Sequence, residues 1–77
     1  MEKEIIFIKV NKIHSKKNNK DYYVAQYLDG DTLDYFSEFI DEKLYNKLNT
    51  DDFEALETYL ATYSINSFRK IVLTDIN

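Results

Sequence analysis

Asp29-Gly30 stands between two runs in which apolar and polar residues alternate, and Gly30 is the only glycine in a chain without proline. An Asp-Gly step in that setting is the strongest short-range signal of a β-hairpin, because the reversal asks for positive φ and glycine takes it without steric cost. Two strands follow from it. Asp21 to Leu28 is expected to place Tyr22, Val24, Gln26 and Leu28 on one face and Tyr23, Ala25 and Tyr27 on the other. Thr32 to Phe39 is expected to place Leu33, Tyr35 and Phe39 on one side and Phe36 on the other.

Upstream, Glu4 to His14 reads as a first strand, with Ile6, Ile8 and Val10 alternating against Ile5, Phe7 and Lys9. Residues 15–20 form a polar loop. At Asp41 the period changes to a helical one: Asp41 can cap a helix, and Leu44, Tyr45 and Leu48 share a face. Thr50 offers a second helix start, with Asp51 and Asp52 suited to its positive end and Phe53, Leu56 and Leu60 continuing the spacing. That helix stops near Glu57 or runs to Ala61. Thr58 to Ile65 is rich in β-formers and alternates, Asn66-Ser67 suits a turn, and Phe68 to Ile76 reads as the last strand. In that strand Ile71 and Leu73 are expected on one face, with Phe68, Val72 and Ile76 on the other. The expected fold is mainly β with a helical insert, a small five-stranded barrel in the order β-β-β-α-β-β. If residues 58–65 are helical instead, the fold is α+β, an antiparallel sheet packed by two helices in the order β-β-β-α-α-β.

Seventy-seven residues suffice for a single domain, 1–77, with a thin core. A chain of that size buries only about 60% of its unfolded surface. The longest uncharged apolar run, Ile5 to Ile8, is far short of the roughly 20 residues of a membrane span. The first residues lack the pattern of a secretory signal. The absence of cysteine removes disulfides, thiol catalysis and Cys-ligated zinc, and places the expected compartment in the cytoplasm. Lysine outnumbers arginine nine to one, and Ile, Asn and Tyr are plentiful, as in AT-rich genomes of low-GC bacteria, phages and plasmids.

No catalytic constellation is legible. His14 is the only histidine, so no histidine pair can hold a metal, and one glycine cannot build a phosphate-binding loop or a nucleophile elbow. Asp29, Asp31 and Asp34 lack the spacing of a calcium loop. The expectation is a protein that is no enzyme and uses neither metal nor cofactor.

Aromatic residues make up 16% of the chain, as seven Tyr and five Phe. Tyr23 and Tyr27 share a face of the hairpin, with Tyr35 on the next strand; on a solvated face such rings would stack unpaired bases, and on a core face they would be packing. The net charge of −4 is split unevenly, with residues 1–20 at +4, residues 21–62 at −9 and residues 63–77 at +1. Lys9, Lys12, Lys16, Lys17 and Lys20, with Arg69 and Lys70, could follow a phosphate backbone. The carboxylates Asp29, Asp31, Asp34, Glu38, Asp41, Glu42, Asp51, Asp52, Glu54 and Glu57 could instead face a basic groove, in the manner of a DNA mimic.

The strand, basic loop and strand of Lys12 to Val24, followed by the hairpin, the helix and the final strand Phe68 to Ile76, resemble the small OB-fold single-stranded-DNA-binding proteins of phages and plasmids. The resemblance spans most of the chain through degenerate motifs. It implies base stacking on aromatics of the second and third strands and phosphate contacts from the first loop. The chain departs from those proteins in its acidic balance and in ending on Thr74-Asp75-Ile76-Asn77, without their acidic tail. The expected partner is single-stranded DNA or, alternatively, a protein of nucleic-acid metabolism, bound by an acidic regulator or inhibitor from a phage or mobile element. No membrane partner is expected, and a homodimer stays open.

Overall fold

A computed structural model describes residues 1–77. The elements are β1 (Glu2–Ser15), β2 (Lys20–Asp29), β3 (Tyr35–Ile40), α1 (Glu42–Leu48), β4 (Thr58–Ile65) and β5 (Ile71–Ile76). All strand pairs are antiparallel, in one sheet of order β3-β2-β1-β4-β5. The single helix lies between β3 and β4, so the β-β-β-α-β-β order holds and residues 58–65 are a strand. The sheet curls until its two edges, β3 and β5, lie near each other without a hydrogen-bonded pair. "Barrel" therefore describes it only loosely.

The core fills the concave side. Ile5 and Phe7 of β1, Ala25 and Tyr27 of β2, Ala61 of β4 and Leu73 and Ile76 of β5 are buried, and α1 closes the space with Leu44 and Leu48. Asp41 caps the helix through a 2.8 Å bond that its carboxylate accepts from the Leu44 N–H.

Two bulges correct the expected alternation. Between Phe7 and Lys9 the pairing with β2 shifts register, leaving Ile8 surplus. Beyond it Val10 joins the core side with Ile5 and Phe7, and Lys9 joins the outer side with Ile6. A second shift makes Thr74 surplus, so Leu73 and Ile76 are both buried instead of facing opposite ways. A bulge adds one residue to one strand and so inverts the phase of everything after it.

The hairpin turn differs as well. β2 and β3 are joined by residues 30–34, and Gly30 does not have positive φ; Leu33 does, at 64°. Gly30 is required for a different reason. Its N–H donates to the Glu4 carbonyl at 2.9 Å, and a Cβ there would stand 2.6 Å from that oxygen. The glycine lets the loop lie against β1.

No second helix starts at Thr50. Its hydroxyl donates to the Lys47 carbonyl, and residues 49–57 form a non-helical connection. Its end docks on the β1 bulge: the Leu56 N–H donates to the Phe7 carbonyl at 2.7 Å and the Phe7 N–H to the Glu57 carbonyl at 3.0 Å. Phe53 packs near Phe7 and Tyr59, with ring centroids 6.3 and 5.0 Å away. Satisfying the backbone of the bulge and burying Phe53 outweighs local helix propensity here.

Candidate nucleic-acid interface

The outer face of β1, β2 and β3 carries the exposed aromatics. Pairing places Ile13 beside Tyr22, Val24 beside Phe39, and Leu28 beside Tyr35 on this face. Tyr22 and Phe39 meet edge to face at 6.1 Å, and Phe39 is 72% exposed. The Lys20 ammonium sits 5.9 Å over the Tyr22 ring, and the Asn18 amide donates to the Tyr22 hydroxyl at 3.1 Å. Below this pair, Asn11 and Gln26 are half-buried and Tyr35 is exposed.

The basic residues fall in four groups. Lys16 and Lys17 project from the β1–β2 turn and Lys20 opens β2; all three are exposed and none has an ion-pair partner, so their charge is free. Lys9 lies on the outer face of β1, likewise exposed and without an ion pair, beside the connection that carries Asp51. Lys12 is neutralised in part by Asp21 at 3.6 Å. Asp21 also takes a 2.8 Å contact from His14 Nδ1, and that hydrogen bond, with the nearby Lys12, holds its carboxyl below the usual range. Arg69 and Lys70 do not open β5; they sit in the β4–β5 turn, where Asn66 accepts two backbone N–H bonds. That turn lies past the first residues of β1, at the opposite end from the β1–β2 turn.

The tyrosines divide by face. Tyr27 is 1% exposed in the core, and its hydroxyl meets that of Tyr63 at 2.5 Å. Burial, then that contact, pushes its hydroxyl far above the usual tyrosine pKa. Tyr23 is on the same inner face. Its hydroxyl donates to Glu42 at 2.9 Å and its ring lies 4.8 Å from that of Tyr45. The Tyr27 ring is closed to a base, and the half-buried Tyr23 ring is covered in part by Tyr45. Tyr35 is available, and it joins Tyr22 and Phe39, which the reading of Tyr23 and Tyr27 as a platform passed over. The signal for them was Gln26: a polar residue in the middle of the Tyr22, Val24, Gln26, Leu28 face marks that face as the wet one.

The carboxylates do not form one surface. Asp29 is buried; it pairs with Lys3 and accepts the N–H groups of Asp31 and Thr32 at 2.7 and 3.0 Å. Those bonds, the Lys3 contact first, hold its carboxyl at about 2. Asp34 accepts from the Thr32 hydroxyl, Asp41 caps α1 and Glu42 accepts from Tyr23. Glu38 is half-buried in the cleft between β3 and β5, lined also by Lys3, Phe36 and Tyr63. Asp31 stands exposed in the β2–β3 loop, and Asp51, Asp52, Glu54 and Glu57 are exposed in the connection after α1. Asp21 and Asp41 also border the depression between Tyr22 and Phe39, each already engaged by the partners named above.

No three acidic or histidine side chains converge where a metal could bind, and no helix is long and apolar enough to cross a membrane. None of the family models, curated proteins or solved structures compared with this chain matches it.

Proposed function

We propose that the protein binds single-stranded nucleic acid, single-stranded DNA in the first instance, on the outer face of β1, β2 and β3. The observation that carries this reading is the pair of half-buried Tyr22 and exposed Phe39, with the Lys20 ammonium over the Tyr22 ring and the unpaired Lys16 and Lys17 in the adjoining turn. Sequence-tolerant single-strand binders use these two parts, aromatic rings on which bases stack and cations that follow the backbone. Lys9 extends the cationic rim along β1. No covalent step is involved, and the expected cytoplasmic setting suits such a role.

The test is anisotropy of a labelled oligo-dT against the purified protein at low and moderate salt. Binding that weakens steeply with salt supports the reading. Absence of binding at low salt removes it. A second reading, an acidic partner for a basic protein groove, draws support from the four exposed carboxylates Asp51, Asp52, Glu54 and Glu57, which have no ion pairs. It gains if oligonucleotides fail to bind.

A further inference from the structure

A hydrogen-bonded file of three side chains crosses the outer face from β1 to β3. The Asn11 amide donates to the Gln26 carbonyl oxygen at 3.0 Å, and the Gln26 amide donates to the Tyr35 hydroxyl at 2.8 Å. Bonds between side chains are the least common class in folded proteins, and at a wet surface each competes with water. Holding three side chains in one file also costs rotamer freedom. Such order at the surface adds little to folding, but it prepares a group for contact.

The prepared group is the last one. Gln26 occupies a lone pair of the Tyr35 oxygen, so the proton of that hydroxyl is left to point outward. Tyr35 is 56% exposed and has no other hydrogen-bond partner. Its hydroxyl leans toward β2, where Gln26 is two residues from Val24 and so one step along the same face from Phe39.

We infer that Tyr35, oriented by Gln26 and Asn11, donates a hydrogen bond to an oxygen of the bound strand, a base carbonyl or a phosphate oxygen, and is not a third stacking ring. The inference rests on the reading of this face as a nucleic-acid interface. Tyr35 touches the ligand; Gln26 and Asn11 are positioning residues. A carbonyl contact favours thymine or uracil over adenine, which has no carbonyl, whereas a phosphate contact is blind to the base.

The experiment measures dissociation constants of the unsubstituted protein, Tyr35→Phe, Gln26→Leu and the double variant. The probes are oligo-dT, oligo-dA and an abasic oligomer of equal length. Tyr35→Phe keeps the ring and removes the proton, and it should weaken oligo-dT binding about fivefold to tenfold, the loss of one hydrogen bond. A loss confined to oligo-dT identifies the carbonyl; an equal loss on all three probes identifies the phosphate. Gln26→Leu should weaken binding in the parent and add nothing in the Tyr35→Phe background, a coupling that a merely structural glutamine would not produce. Additive losses overturn the positioning role. If the parent binds and Tyr35→Phe binds every probe equally well, the inference is overturned and the interface stands. If the parent binds none of the probes, both fall.

Discussion

The two faces of the β2–β3 hairpin carry tyrosine to opposite ends. Inward, Tyr27 is sealed in the core with its hydroxyl against Tyr63, and Tyr23 is tied to Glu42 and leans on Tyr45. Outward, Tyr22 of β2 and Tyr35 of β3 bond only to amides at the surface, Asn18 and Gln26; Tyr22 is half-buried and Tyr35 exposed. The same residue type thus serves packing on one side and, on the function proposed above, recognition on the other. What separates the roles is what lies against the rings: Tyr27 is packed in the core and Tyr23 leans on Tyr45, whereas Tyr22 meets only the Phe39 ring and the Lys20 ammonium. Counting tyrosines therefore says little; assigning each to a face says nearly everything.

Stability separates the two faces most sharply. Tyr27→Ala opens a cavity in a thin core and should cost about 3–5 kcal/mol in denaturant unfolding. Tyr22→Ala and Phe39→Ala should stay within about 0.5 kcal/mol of the parent. Equal losses on both faces would abolish the distinction.

The next effect tests the close approach that holds the hairpin against β1. Gly30→Ala pushes a methyl group into the Glu4 carbonyl and should destabilise by about 1–3 kcal/mol. A neutral result would mean that the loop can retreat from β1 at no cost.

On binding, the ranking inverts. Tyr22→Ala and Phe39→Ala should each weaken oligo-dT affinity by about 1–3 kcal/mol, with an unchanged melting temperature. Removing Lys16 and Lys17 should flatten the log–log salt dependence of binding by about 0.7 per lysine that touches phosphate. An unchanged slope would take the β1–β2 turn out of the interface.

The smallest effect is a pH dependence confined to the inner side. The Asp29 carboxyl is held at about 2, below its unfolded value, so the stability it contributes is present above the usual carboxylate range. That contribution is lost as pH falls from about 4 through about 2. Its partner Lys3 is raised by the same hydrogen bond, so its share is present below the usual lysine range and lost only as pH rises past it. Thermal melts of the parent and Asp29→Asn should differ near neutral pH and converge at the acid end. A constant difference across that range would show that Asp29 acts through its turn geometry and not through its charge.

Much of the fold was legible because its strands obey a period of two in which one face is apolar. Thr58 to Ile65 and the cap at Asp41 fell where propensity placed them. Propensity misled at Thr50 to Glu57, where the local sequence suits a helix but the β1 bulge needs backbone partners from outside its own strand. Gly30 is required by a close approach to Glu4, which cannot be seen in the sequence without knowing that β1 lies there. The candidate interface was half legible. Lys9, Lys16, Lys17, Lys20 and Tyr35 lie on or beside the outer face, whereas Tyr23 and Tyr27 turn inward and Arg69 and Lys70 sit at the other end of the sheet. Alternation pairs residues into faces; it does not say which face is wet.

Ile8 and Thr74 give that curled shape an arithmetic. Each is one residue more than its partner strand can match, and a strand with a surplus residue has to bend. Deleting the Ile8 codon would keep every side chain of β1 on its present face and every partner across from it. The expected loss is the bend at that point and, with it, the close approach of β3 and β5, which small-angle scattering would register as a flatter, longer particle. In this chain curvature is written as extra length, so a shorter β1 would keep the same pairings in a flatter sheet.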